Sequence, residues 1–78
     1  MQSVRFYRQR AGLSQAELAS RAGLLQPQLS YIETGAHAPT PATLNKVADA
    51  LGVAVWELLL MEDALEKQRQ IQQELIAG

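Results

Sequence analysis

The sequence contains no cysteine, which removes disulfides and thiolate metal sites and is compatible with a cytoplasmic location. It has a single histidine, His37, with no Asp/Glu/His cluster around it in sequence, so no metal site is expected. There is no glycine-rich phosphate loop, and a chain this short has no room for an active-site cleft. An enzyme and a bound cofactor are therefore not expected. The charged opening MQSVRFYRQR is followed by no long apolar stretch, so it does not read as a signal peptide. The apolar run Leu58 to Met61, LLLM, is far too short to span a bilayer. No segment alternates at period two, and β-branched residues are scattered, which argues against a sheet. Internal repeats and low-complexity tracts are also missing.

What is present fits one small helical domain. The chain has 78 residues, 47% apolar and 19% charged, enough for a packed core but a thin one that gains from a partner subunit. The formal net charge of −1 is low for a nucleic-acid binder. Its distribution is uneven. Residues 1–55 carry five cations against three carboxylates, and residues 56–78 carry two cations against five carboxylates. This pattern predicts a basic working surface and an acidic tail with another purpose.

Helical periodicity runs throughout. Val4, Tyr7 and Ala11 share one face of a first helix closed by Gly12. The segment SQAE, Ser14 to Glu17, is a capping box that opens a second helix. Its inner face is Leu18, Ala19 and Ala22, and Gly23 closes it. Only GLL separates this from a third helix, which turns Leu29 and Ile32 inward and stops at Gly35. Thr40 and Pro41 form the cap and first residue of a fourth helix bearing Leu44, Val47, Ala48 and Leu51, ended by Gly52. A short fifth helix holds Val55, Leu58 and Leu59, followed by a longer polar helix over Met61 to Ile76. Two helices joined by three or four residues that include Gly form a helix-turn-helix. The competing reading, a generic bundle, leaves the polar side chains at the start of the third helix unexplained.

The stretch LSQAELASRAGLLQPQLSYIETG, Leu13 to Gly35, resembles the Cro/phage-repressor type of helix-turn-helix, the xenobiotic-response-element family. Further landmarks are Arg8, Pro39 and the run from Val47 to Leu59, so the likeness extends from about Val4 to Leu60. The resemblance implies an all-α, five-helix lambda-repressor-like domain over residues 1–60, with its third helix in the DNA major groove. Residues 61–78 would be an additional C-terminal helical extension. Arg8 and Glu33 look like the family's structural ion pair. The family's base-reading positions map onto Gln26, Pro27, Ser30 and Tyr31, and its phosphate-positioning residue maps onto Gln15. The sequence departs from the family at Leu25, where Ser or Thr usually caps the helix.

The residue chemistry is consistent with those roles. Proline disfavours helical geometry in the residue before it, which places Gln26 at the helix threshold and Pro27 in the first turn, where a missing N–H costs little. A helix N-terminus presents free N–H groups and partial positive charge to phosphate. The Gln26 amide has the donor and acceptor that pair with adenine, and Pro27 can pack on a thymine methyl. Gln15 is also a candidate brace for Gln26. Gln28 either caps its own helix or reaches a phosphate, and His37 is either a phosphate neighbour or plain loop surface. Arg10 and Lys46 are further candidates for phosphate contact.

In the tail, Met61, Ala64, Gln68, Ile71 and Leu75 follow a heptad spacing, with Trp56 and Leu60 placed to extend an interface. The function this predicts is a sequence-specific transcriptional regulator, a repressor, binding a pseudo-palindromic double-stranded operator as a homodimer. The alternative is an antitoxin or adaptor whose C-terminal helix holds a partner protein, and a tail folded back over Trp56 is a third arrangement.

Overall fold

Three of the helix ends are built alike, and they set the topology. The chain leaves α1 (Gln2–Arg10), α2 (Gln15–Ala22) and α4 (Pro41–Leu51) through a glycine, and α3 (Gln26–Thr34) also ends on one. At Gly23 the backbone takes φ 70°, a left-handed turn that a side chain disfavours. The Leu24 N–H then donates to Ala19 O at 2.8 Å and the Gly23 N–H to Ser20 O at 3.3 Å, which closes α2 and aims the chain at α3 three residues later. A computed structural model describes residues 1–77, and within them the chain is all-helical, ending in α5 (Val55–Ala77).

Helix starts follow side-chain chemistry. The Ser14 hydroxyl accepts from the Glu17 N–H and the Glu17 carboxylate accepts from the Ser14 N–H, both at 3.1 Å, completing the capping box. Thr40 Oγ1 accepts from the Thr43 N–H at 3.2 Å, with Pro41 as the first residue of α4. Each helix then contributes one apolar side chain with no solvent exposure: Val4, Leu18, Leu29, Val47 and Leu58. Full burial of an aliphatic side chain is worth about 1.5–3 kcal/mol. Ala19, Ala22 and Ala48 complete the core where the helices approach closely.

The structure departs from the periodicity reading in three places. Ala11 is exposed just past α1, and Leu13 takes the core position instead. Leu59 is 51% exposed, because inward Leu58 leaves its neighbour about 100° round the helix. The expected short fifth helix and separate tail helix are one continuous 23-residue helix with no break near residue 60. Nothing between Leu60 and Met61 stops a helix, since the junction has neither Gly nor Pro. Gly78, the last residue of the expected extension, lies outside the described residues.

α5 packs on α1 and α4 through its first turns and then leaves the domain. Leu58 is buried and Leu65 half-buried, whereas every residue from Glu66 to Ile76 is exposed. The radius of gyration, 13.1 Å, exceeds the roughly 11.5 Å of a compact chain of this length, consistent with a projecting helix. No helix among the described residues is long and apolar enough to cross a membrane. Leu58 is the deepest anchor of α5. Leu58→Ala is expected to cost about 2–5 kcal/mol, read as a drop of at least about 8 °C in thermal midpoint. A loss below about 1 kcal/mol in that melt would show that α5 is held elsewhere.

Candidate nucleic-acid interface

α3 lies on the surface with its back to the core. Leu29, Ile32 and Glu33 are buried, while Gln26, Pro27, Gln28 and Tyr31 are exposed and Ser30 is half-buried. Pro27, Ser30 and Tyr31 are spaced i, i+3, i+4 and share one outward face. The helix begins at Gln26, with extended Leu25 as its N-cap. Leu25 has no acceptor to offer the first turn. Only the reciprocal half of a cap forms, in which the Leu25 N–H donates to Gln28 Oε1 at 3.3 Å. Gln28 thus makes the capping contact through its amide oxygen. Pro27 has no N–H, so the first-turn backbone donors are those of Gln26 and Gln28, and the N-cap side chain takes neither.

The buried charge behind this helix is Glu33, 3% exposed. Arg8 Nε donates to Glu33 Oε2 at 2.6 Å and Arg8 Nη2 to Oε1 at 3.0 Å, a two-pronged guanidinium–carboxylate contact. Arg8 Nη1 also donates to Leu13 O at 2.9 Å, which ties the α1–α2 turn into the same group. Two further donors reach the carboxylate. The Gln15 amide donates to Oε1 at 3.1 Å, and half-exposed Arg5 makes a longer 3.4 Å contact. Gln15 thus binds the end of α3, and its amide nitrogen is committed to Glu33 rather than to Gln26. Arg5 was not picked out from sequence, although it lies three residues from Arg8 on the same helix face.

Burial acts most strongly on Glu33 and pushes its pKa up. The hydrogen bonds from Arg8 and Gln15, the Arg8 charge and the Arg5 contact together outweigh it, and the carboxyl ends below its ordinary value. The Arg8 guanidinium is pushed up by its hydrogen bond to Glu33, against burial.

At the far end of α3, His37 is exposed and bonded to Tyr31. The two rings meet edge to face with centroids 5.0 Å apart, and the His37 N–H donates to Tyr31 O at 3.3 Å. Arg10 and Lys46 are exposed.

On α5, Trp56 and Leu60 are each 62% exposed, and Ile71 and Leu75 also face solvent, as does Gln68. Met61 differs, being half-buried. The tail carboxylates are partly structural. Glu62 Oε1 accepts from the Ser3 N–H at 2.9 Å, capping α1 from 59 residues away, and Glu57 accepts from the Ala54 N–H at 2.6 Å. Asp63 pairs with Lys67 on the surface.

A depressed carboxylate stabilises the fold above its unfolded pKa and loses that contribution as pH falls through the folded one. Removing one partner of a buried pair costs roughly 3–5 kcal/mol. Glu33→Gln is therefore expected to lower the thermal midpoint strongly at pH 7, and by more than Glu17→Gln does. The gap between wild type and Glu33→Gln should close as pH falls below the ordinary value of 4.5. A gap that stays constant from pH 7 to pH 3 would count against a buried ionised pair.

Comparison with known proteins matches this geometry. Residues 4–55 fit a family model described as helix-turn-helix. The chain is 43% identical over 56 residues to y4dJ, an uncharacterized HTH-type transcriptional regulator of Sinorhizobium fredii, covering 72% of this chain and 73% of that one. The clp gene regulator ClgR from Corynebacterium glutamicum superposes with a TM-score of 0.89 at 26% identity, over 95% of this chain and 79% of that chain. SinR, whose N-terminal DNA-binding domain is known from Bacillus subtilis, is similar in two complexes. In complex with DNA it matches at 39% identity and a TM-score of 0.71, over 74% of this chain and 94% of that chain. In the SinR/SinI complex it matches at 31% identity and 0.75, over 99% and 79%. With an α2–turn–α3 unit, the Arg8–Glu33 pair behind α3 and a family match over most of its length, the chain belongs to the Cro/C1-type helix-turn-helix family of DNA-binding transcriptional regulators.

Proposed function

We propose that this protein is a cytoplasmic repressor that binds a pseudo-palindromic operator as a homodimer, with α3 in the major groove. One observation carries the reading. Gln26, Pro27 and Tyr31 stand exposed around a helix start that its N-cap side chain leaves open, on a helix locked from behind by Glu33. Gln26 reads adenine through its paired donor and acceptor, Pro27 meets a thymine methyl, and Ser30 and Tyr31 contact the next step. The N–H groups at the start of α3 and the amide nitrogen of Gln28 hold phosphate. Gln15 sets the register of α2 against α3 through Glu33 and lies beside the same backbone. SinR, a structural relative solved with DNA, supports this placement.

Dimerisation would use α5. Trp56, Leu60, Ile71 and Leu75 form an exposed apolar line, with Gln68 within it and Met61 at its inner edge. A twofold contact along this line is self-complementary. It would join two reading heads whose half-sites lie about 34–36 Å apart, one turn of duplex, or a multiple of that. Residues 1–60 then serve as the DNA-binding part and residues 61–78 as the dimer element, although one helix runs through the division. A second reading is favoured by the SinR/SinI complex, which matches almost the whole chain. In it the same α5 line holds a different protein, as in an antitoxin or adaptor.

Gln26→Ala is expected to cost about 1–3 kcal/mol on the preferred site and to relax one base position. Sequence selection from random duplexes reads this directly, and an unchanged preference would remove Gln26 from the reading set. Ile71→Glu combined with Leu75→Glu alters only exposed positions. In sedimentation it should convert dimer to monomer and weaken operator binding by about 10²–10⁴ while half-site preference persists. A double mutant that stays dimeric assigns the line to a partner protein instead.

A further inference from the structure

His37 lies outside the helix-turn-helix, yet two separate links tie it to Tyr31. Its ring stands at 85° to the tyrosine ring, with centroids 5.0 Å apart. Its backbone N–H donates to the Tyr31 carbonyl at 3.3 Å. That carbonyl also accepts from the Thr34 hydroxyl at 3.3 Å, so the end of α3 and the loop beyond it close on one oxygen. Gly35, at φ 82°, makes the reversal that brings residue 37 back onto residue 31. The polypeptide thus delivers the imidazole to the side of Tyr31 whatever the loop's outer surface touches.

We infer that His37 is a specificity-positioning residue that holds the Tyr31 side chain in the orientation from which it reads a base. This rests on α3 being the base-contacting helix. A half-exposed tyrosine on a helix surface has more than one rotamer open to it, and each alternative must be given up on binding. An edge-to-face neighbour removes alternatives beforehand and fixes where the phenol hydroxyl points. A base contact discriminates only when its donor and acceptor are held in place, so His37 acts on specificity through Tyr31 and not by touching DNA itself. A phosphate contact by His37 would behave differently, raising affinity for all sequences alike and steepening the salt dependence.

The test compares full-length wild type, Tyr31→Ala, His37→Ala, His37→Phe and the double variant Tyr31→Ala/His37→Ala by sequence selection and by salt titration. Circular dichroism confirms that each is folded. Tyr31→Ala should flatten preference at one base pair. His37→Ala should lower discrimination at that same base pair by about two- to tenfold, the worth of an aromatic pair. The salt slope should not change. His37→Phe keeps a ring but has no N–H for phosphate, and should restore the preference. The double variant should be no worse than Tyr31→Ala alone, because the two residues act as one unit. The inference is overturned if His37→Ala weakens all sequences equally and shallows the salt slope by about one, with no rescue by Phe. It is also overturned if the affected base pair differs from that of Tyr31. If Tyr31→Ala itself leaves every preference unchanged, the base-reading role of this face of α3 fails, and the positioning role falls with it.

Discussion

The carboxylate of Glu33 is the point on which the rest of the structure depends. It is buried, it is charged, and it belongs to the helix that carries exposed Gln26, Pro27 and Tyr31. A lone buried charge is costly, so it must be met from several sides. α1 meets it with Arg8 and Arg5, and α2 meets it with Gln15. Arg8 extends the network to the Leu13 carbonyl, in the turn between those two helices. Three helices and one turn are thereby referred to a single group. An apolar contact in the same place would tolerate sliding, whereas directed hydrogen bonds to two carboxylate oxygens do not. For the proposed role of α3 in a DNA groove, such registration matters more than the net stability of the pair.

The outer face of α3 has the opposite character. Leu25 cannot cap, Pro27 has no N–H, and Gln28 turns its amide oxygen back to the Leu25 N–H. The helix start is left with unmet backbone donors on the side away from the core. Local stability is reduced there, and the helix tolerates it because Leu29, Ile32 and Glu33 hold it from behind. A structural requirement on one face and a chemical opportunity on the other are separated by the helical repeat.

α5 is anchored in the helical domain at its start and projects from it beyond Leu65. Leu58 seats it in the core, and Glu62 caps α1 by accepting from the Ser3 N–H. α1 in turn carries Arg8 to Glu33. A continuous set of contacts therefore runs from the C-terminal helix through α1 to α3. The acidic balance of residues 56–78 now has a partial explanation, since Glu57, Glu62 and Asp63 each have an intramolecular partner.

The helix-turn-helix, the Ser14 and Thr40 caps and the glycine stops were legible in the residues because they are decided within a few positions along the chain. A hydroxyl three residues before a carboxylate, or a glycine after the last apolar position, acts on its own turn. The Arg8–Glu33 pair came only by resemblance, and the exposure of Gln26, Pro27 and Tyr31 was consistent with their residue types. Other features were hidden. The Gln15 and Arg5 contacts to Glu33 span 18 and 28 residues, and the Glu62 cap on Ser3 spans 59. Nothing local distinguishes a glutamate that caps a distant helix from one that is solvated. The placement of His37 against Tyr31 likewise depends on the path of a whole loop. By itself the sequence determined the first four helices, their order and the family, because periodicity and cap chemistry are properties of neighbours along the chain. Only the tertiary structure decided which polar groups meet, because that depends on how close separate helices come in space.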